Sequence, residues 1–174
     1  MLKINRRADG CFDVVTEAGT VVAEHVVNAA GCYAPQVAGM VGLTAPLANV
    51  LHSYLITGTA EEFSWLEHEL PVVRDDYISG YVRQEQQSGL IGIYEQHGAE
   101  AAWIDGPDWS LESPLFAADF DRIGFWLARA YERVPLFEKL GIRQVIRGAI
   151  PHTPDGEALL GPSGIPNFWM MAGV

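Results

Sequence analysis

The sequence predicts an α/β fold, and three observations support that class. Short runs rich in β-branched and aromatic residues alternate with turn signals along most of the chain. One long stretch, residues 117–134, instead has apolar residues at helical spacing. The composition, 49% hydrophobic and 19% charged over 174 residues, is that of a globular chain long enough to bury a sizeable core.

The first thirty residues are predicted to form strands. Residues 11–16 and 21–28 are β-rich, and the turn Glu17-Ala18-Gly19-Thr20 lies between them, so the two runs are predicted to pair as a hairpin. The second run continues as Val26-Val27-Asn28-Ala29-Ala30-Gly31, an apolar strand that leads directly into small residues. Beyond Gly31, apolar residues recur at helical spacing as far as Val41 and predict a short helix.

The rest of the chain is predicted to mix strands with two helices. The predicted strands are residues 50–57, 72–74, 80–84, 90–95, 142–150 and 167–172. Those between 72 and 95 are spaced as in an antiparallel meander. The predicted helices are residues 60–70, ended by Pro71, and residues 117–134, ended by Pro135.

Composition and spacing exclude several classes of function. Eleven basic residues against 22 acidic ones give a formal charge of −11, which disfavours nucleic-acid binding. Cys11 and Cys32 form no C-x-x-C pair, and the histidines lack metal-ligand spacing, so no metal site is predicted. No apolar run approaches the ~20 residues that span a bilayer, and no signal peptide is evident, so a cytoplasmic chain without membrane contact is predicted.

A series of motifs in a fixed order identifies a family. They are Val26–Gly31, Leu51-His52-Ser53-Tyr54, Leu70–Asp75, Gly80–Glu85, Gly92-Ile93-Tyr94-Glu95, and Thr153-Pro154-Asp155-Gly156 with Leu160-Gly161-Pro162. On these residues the chain resembles the FAD-dependent amine oxidoreductases related to D-amino acid oxidase, and among them the dimethylglycine and sarcosine dehydrogenases. The motifs extend over nearly the whole chain.

The resemblance implies a domain organisation. Residues 1–45 would be strands and a helix of a partial, Rossmann-type FAD-binding domain, to which residues 151–174 return. Residues 46–150 would form an antiparallel substrate-domain sheet with covering helices. The implied reaction is hydride transfer from an N-methyl amino acid to FAD, in the cytoplasm or, for a eukaryotic parent, in the mitochondrial matrix.

The resemblance also implies site residues. His52 and Tyr81 match the histidine and tyrosine that handle the substrate's proton, and they are predicted to project from neighbouring strands into one cavity. The implied cofactor-binding residues are Ala30, Gly31, Tyr33, Gly173 and Val174. At position 33 the family usually has Trp. From the residues alone, His52 is more typical of a hydrogen-bonded core histidine, and Tyr81 also fits an aromatic packed on a sheet face.

Other charged residues are given no role at this stage. Arg74 and Arg83 suit a substrate carboxylate, but Asp75, Asp76 and Glu85 are close enough in sequence to neutralise them. Glu95 and Asp155 form no recognisable acid/base pair.

The chain departs from the family in one important motif. It contains no G-x-G-x-x-G loop to bind the FAD pyrophosphate. The histidine to which family dehydrogenases attach FAD covalently is not matched either. Three alternatives follow: a fragment of the oxidoreductase, a subunit completed by a partner chain that carries the nucleotide-binding half, or a non-catalytic binding module like the family's regulatory subunit of pyruvate dehydrogenase phosphatase. For a truncated chain, Val21, Val22, Val26 and Val27 are predicted to face water.

Overall fold

The computed structural model describes residues 1–96, 99–112 and 114–173. The strands are β1 Lys3–Arg6, β2 Phe12–Thr16, β3 Gly19–Ala23, β4 Val26–Asn28, β5 Ala48–Thr59, β6 Val73–Asp75, β7 Gly80–Glu85, β8 Ser88–Ile93, β9 Ile142–His152, β10 Leu159–Pro162 and β11 Phe168–Ala172. The α-helices are α1 Ala34–Gly39, α2 Phe120–Arg133 and α3 Pro135–Leu140, and short 3-10 helices cover Gly31–Tyr33, Glu61–Phe63 and Asp76–Ile78. The α/β class is confirmed.

The chain divides into two compact units. The first contains residues 1–50, 101–111 and 149–173, and the second contains the described residues within 51–100 and 112–148. Residues 101–111, within the predicted substrate domain, therefore cluster with the first unit. The assignment of one unit to the flavin and the other to the substrate stays a prediction.

The first unit contains two three-stranded sheets. The sheet β1-β2-β3 is an antiparallel meander, and in the sheet β10-β11-β4 the strands β11 and β4 are parallel. Its core contains apolar residues from both sheets and from α1: Ile4, Phe12, Ala34, Val37, Ala38, Ala45, Phe168, Met170 and Ala172. The rings of Phe12 and Phe168, both fully buried, have centroids 6.0 Å apart.

The second unit is built around a five-stranded sheet in the order β6-β7-β8-β5-β9. The strands β6, β7 and β8 follow one another as antiparallel neighbours, which confirms the predicted meander. One face of the sheet packs against α2 and α3 through Leu55, Ile78, Val82, Ile91, Ile93, Ile123, Leu127, Ala130 and Phe137. Asp119 begins α2 as its N-cap, because its side chain accepts a hydrogen bond from the backbone N–H of Arg122.

The predicted N-terminal hairpin is confirmed in its first part only. β2 pairs antiparallel with β3 around the turn at Glu17 and Ala18. The prediction of one continuous strand over residues 21–28 was wrong, because the chain leaves β3 after Ala23 and β4 joins a different sheet. There the backbone N–H of Val26 donates to the carbonyl of Asn167 at 2.9 Å.

The prediction of a helix over residues 60–70 was also wrong. Only Glu61–Phe63 forms a turn of 3-10 helix, and every residue from 64 to 72 is exposed. Trp65 is 78% exposed, and Leu66 and Leu70 are exposed as well, so the apolar residues after Phe63 form no buried face. A short helix without a buried face is marginal in water, which accounts for the difference.

Three further elements lay outside the sequence predictions. β1 and β10 are short edge strands, and α3 begins at Pro135, which ends α2 and also occupies the favoured first position of the next helix. Val21, Val22 and Val27 are exposed as predicted, but Val26 is partly buried against the first unit's core.

Candidate polar and aromatic site on the second unit's sheet

One face of the five-stranded sheet carries a cluster of polar and aromatic side chains. In the register of the sheet, Tyr54 lies opposite Gly92, Gly92 opposite Tyr81, and Tyr81 opposite Arg74. Directly opposed residues of antiparallel strands project to the same side, and residues two apart along a strand share a face. His52, two residues before Tyr54, therefore projects to this side as well.

We call this surface the polar face and define it by His52, Tyr54, Arg74, Tyr81 and Tyr94. The ring of Tyr94 lies between those of His52 and Tyr81. Its centroid is 5.1 Å from the His52 centroid, edge-on, and 5.9 Å from the Tyr81 centroid. These are the separations at which aromatic rings attract each other beyond simple burial.

His52 and Tyr81 share this face but do not lie on neighbouring strands. His52 is on β5 and Tyr81 on β7, and β8 runs between them. The neighbouring-strand prediction was wrong, because sequence alone did not show that β8 pairs with both strands. The bridging residue is Tyr94. The catalytic roles of His52 and Tyr81 stay predictions.

Gly92 makes room for Tyr81 in the centre of the face. A Cβ atom at position 92 would lie 2.1 Å from Cε1 of Tyr81, so the phenol ring occupies the space above the glycine. Burial, followed by the neighbouring Tyr94 phenol, raises the pKa of Tyr81 above its ordinary value. At neutral pH Tyr81 is therefore a phenol that donates a hydrogen bond rather than a phenolate base.

His52 is held by a carboxylate. Its Nδ1 lies 3.0 Å from Oε2 of Glu95, and the two side chains are 9% and 2% exposed. Burial opposes ionisation of Glu95, but the hydrogen bond from His52, together with a backbone hydrogen bond, outweighs it and lowers the pKa of this carboxyl. Sequence reasoning missed this pair. The only available signal was the position of Glu95 directly after a buried strand.

Arg74 provides a positive charge at the edge of the polar face. Its guanidinium carbon lies 5.5 Å from the centroid of the Tyr94 ring, a cation–π distance. The predicted neutralisation by Asp75 was wrong, because Asp75 pairs with Arg133 at 2.8 Å. Arg83, in contrast, is paired with Glu85. Among residues 1–96, 99–112 and 114–173, no carboxylate lies within ion-pair distance of Arg74.

In the first unit, two of the predicted cofactor-binding glycines follow adjacent parallel strands. β4 leads through Ala29 and Ala30 to Gly31, and β11 leads directly to Gly173. Because β4 and β11 are parallel, their carboxyl ends meet at one sheet edge, where open α/β sheets bind ligands. Gly31 has φ +55° and nothing within 4 Å of a Cβ position, so its backbone is open to a flat ligand.

The turn at Ala30 is held by hydrogen bonds to a buried asparagine, Asn28. Nδ2 of Asn28 donates to the carbonyl of Ala34 at 2.8 Å, and its Oδ1 accepts from the backbone N–H of Ala30 at 3.3 Å. Gly173 has φ +72°, and a Cβ there would lie 3.0 Å from Thr153. Val174 lies outside the described residues.

Tyr33 is engaged with a loop of the same unit. Its ring stacks on Trp109 with centroids 5.1 Å apart, and its hydroxyl is shared between the carbonyls of Asp108 and Leu111 at 3.1 and 3.0 Å. The open turn at Gly31 and the shared strand edge fit the backbone-lined part of a flavin site. Residues 1–174 contain no G-x-G-x-x-G loop for the pyrophosphate.

The described residues contain no group of three or more His, Cys, Asp or Glu side chains placed to hold a metal ion. Among the helices described, none has the length and apolar character needed to cross a membrane.

Comparisons with known proteins agree on one family. Residues 1–174 match the FAD dependent oxidoreductase family. The chain is 40% identical to mitochondrial dimethylglycine dehydrogenase from Mus musculus over 96% of its own length and 20% of that protein. It is 33% identical to mitochondrial sarcosine dehydrogenase from Mus musculus over 85% of its length and 15% of that protein.

A solved structure gives the same fold. The chain is similar to the crystal structure of L-proline dehydrogenase from P. horikoshii, with a TM-score of 0.74 and 18% identity over 98% of this chain and 42% of that one. The chain thus spans about a fifth of the length of the dimethylglycine dehydrogenases it matches.

Proposed function

The chain belongs to the FAD-dependent oxidoreductase family, and from that membership we propose that it forms the substrate-side sheet and one edge of the flavin site of an enzyme that oxidises an N-methyl amino acid. The observation that carries this proposal is the 40% identity to dimethylglycine dehydrogenase along nearly the whole chain. The resemblance to sarcosine dehydrogenase, a second enzyme named for an N-methylated glycine, supports the same class of substrate.

The polar face suits the substrate side of this reaction. FAD, when bound, supplies the hydride acceptor. The substrate amine must be neutral to give up a hydride, so a nearby group has to take its ammonium proton. His52 is the imidazole on the polar face and is suited to hold that proton, because imidazole exchanges protons near neutral pH.

Tyr81 and Arg74 have complementary roles in this proposal. Tyr81, a neutral phenol beside Tyr94, donates a hydrogen bond and passes a proton on through its hydroxyl. Arg74 binds the substrate carboxylate, because its charge is not neutralised by Asp75 and guanidinium binds carboxylates through paired hydrogen bonds.

The first unit supplies the flavin side in this proposal. The backbone at Ala30, Gly31 and Gly173 lines the flavin in this proposal, with the Tyr33 region beside it, and Val174 stays a predicted cofactor contact. Because residues 1–174 lack a G-x-G-x-x-G loop, the FAD pyrophosphate is held by residues outside this range, in the same polypeptide or in a partner chain. In a eukaryotic source, the mitochondrial names of the relatives support a mitochondrial location.

The test is a chimera. Residues 1–174 replace the matching region of mouse dimethylglycine dehydrogenase, and flavin reduction by dimethylglycine and by sarcosine is followed anaerobically by stopped-flow absorbance. We expect His52→Ala and Tyr81→Phe each to slow reduction by ~10²–10⁴-fold, the usual contribution of a positioned proton-transfer group, with flavin content unchanged.

Matched variants outside the face control for general damage. His68→Ala changes an exposed histidine, and Tyr131→Phe a half-buried tyrosine of α2; both should reduce flavin at the parent rate. If all four variants reduce flavin equally fast, His52 and Tyr81 are packing residues. A chimera that binds flavin and is not reduced by either amine would favour a non-catalytic binding module.

A further inference from the structure

Glu95 is a buried carboxylate that the proposed reaction does not yet use. It follows β8, and its side chain is 2% exposed. Oε2 contacts Nδ1 of His52 at 3.0 Å, whereas Oε1 has no hydrogen-bond partner among the residues that the structure describes. A buried carboxylate oxygen without a hydrogen bond destabilises the folded protein. The contact with His52 must therefore stabilise much of the charge on Glu95.

The direction of the hydrogen bond follows from the charge of Glu95. Burial disfavours its ionised form, but the interaction with His52, a backbone hydrogen bond and the positive charge of Arg122 together leave its pKa lowered. Glu95 is therefore an anion at neutral pH and has no proton to donate. Nδ1 of His52 must then be the donor in this contact.

We propose that Glu95 is the positioning residue of His52: its carboxylate holds the imidazole through Nδ1–H, so that the neutral ring has its lone pair at Nε2 and stays edge-on to Tyr94. The ring geometry agrees with this assignment, since His52 and Tyr94 are inclined at 70°. A histidine that works with its distal nitrogen commonly has its other ring nitrogen held by a carboxylate in this way.

Other charged and titratable groups also face this pair. Tyr94 lies edge-on to the imidazole, Tyr54 follows on the same strand and face, and Tyr81 and Arg74 lie beyond Tyr94. Arg122 of α2 acts on Glu95 through its charge. Of these, Glu95 is the one that contacts Nδ1, so its removal is the change that should reset the tautomer.

The direct test needs neither flavin nor substrate. The purified chain is labelled with ¹⁵N-histidine, and long-range ¹H–¹⁵N correlation spectra are recorded at a pH where the imidazoles are neutral. His52→Gln identifies the His52 signals by their loss. We expect the parent protein to show His52 with its proton on Nδ1. A proton on Nε2 in the parent overturns the proposal without recourse to any variant.

The variants sharpen this result. Glu95→Gln should lose the fixed Nδ1–H form, because an amide is a weaker acceptor than a carboxylate, and Glu95→Asp should retain it in part. Glu62→Gln, at an exposed position, is the matched control and should leave the spectrum unchanged. An unchanged His52 tautomer in a folded Glu95→Gln protein would contradict the proposal.

A kinetic consequence rests on the proposed function. In the chimera, Glu95→Gln should slow flavin reduction by roughly 10–100-fold, the size usual for a group that orients a working histidine. A tautomer change without any kinetic effect would sink the catalytic role of His52 and leave the positioning role intact.

Discussion

The two faces of the five-stranded sheet carry side chains of different chemical character. One face presents Leu55, Val82, Ile91 and Ile93 to α2 and α3, and all of these are buried. The other presents His52, Tyr54, Tyr81 and Tyr94, with Arg74 at its edge. The same strands supply both, one residue apart. Alternation along a strand therefore separates the residues that stabilise the unit from those available for chemistry.

The largest expected effect comes from the apolar face. Ile91 is fully buried among Leu55, Ile123 and their neighbours, so Ile91→Ala leaves a cavity next to α2. We expect the free energy of unfolding to fall by ~2–5 kcal/mol, measured by urea denaturation. Leu160→Ala, at a position 66% exposed, is the control and should change it little. Equal losses for the two variants would mean that the apolar face is not the stabilising one.

The second-largest expected effect comes from a substitution at the centre of the polar face. In Gly92→Ala the new Cβ would overlap the Tyr81 ring, so the ring must move and its contact with Tyr94 is lost. We expect a loss of ~1–3 kcal/mol in unfolding free energy, typical of overpacking, and a changed near-ultraviolet dichroism of the tyrosines.

Gly124→Ala provides the matched comparison for that substitution. Nothing lies within 4 Å of a Cβ at position 124 of α2, and Ala is the better helix former. This variant should be slightly more stable than the parent. If Gly92→Ala behaves in the same way, Tyr81 does not occupy the space above Gly92.

Arg74 tests whether the polar face binds a carboxylate. In the chimera, Arg74→Ala should raise the KM for dimethylglycine by roughly 10–100-fold, because a charge-assisted hydrogen bond is typically worth ~1.5–3 kcal/mol, and should change kcat less. Arg143→Ala, an exposed arginine on β9, is the control. A dimethylamine without a carboxylate should be insensitive to Arg74→Ala; equal sensitivity would assign Arg74 a structural role.

The smallest expected effect is on stability in acid. The pKa of Glu95 is lowered in the folded protein, so its ionised form contributes stability above the ordinary carboxyl pKa, and this contribution is lost as pH falls towards the folded value. Glu95→Gln should therefore flatten the stability–pH curve over that acidic interval, as followed by thermal unfolding between neutral and acidic pH. An unchanged slope would show that Glu95 titrates alike in both states.

Sequence reasoning found most regular elements, and of the polar face it singled out His52 and Tyr81. The meander β6-β7-β8 and helix α2 follow local patterns that persist in the structure, and the motif order led to the correct family. The prediction of a helix over 60–70 failed because Trp65, Leu66 and Leu70 stay exposed, so the stretch has no continuous buried face that would stabilise a helix. Glu95 was given no role from the sequence, because a lone carboxylate after a strand carries no local sign of a long-range partner.

By itself, the sequence determined which residues of one strand share a face, since alternation along a strand is set by its geometry. It likewise determined the small-residue turn at Gly31, because its left-handed backbone suits glycine. Only the tertiary structure decided that β8 separates His52 from Tyr81, that β4 runs beside β11, and that Glu95 meets His52 across 43 residues. These pairings depend on long-range register, which the total packing of the chain selects and no local pattern encodes.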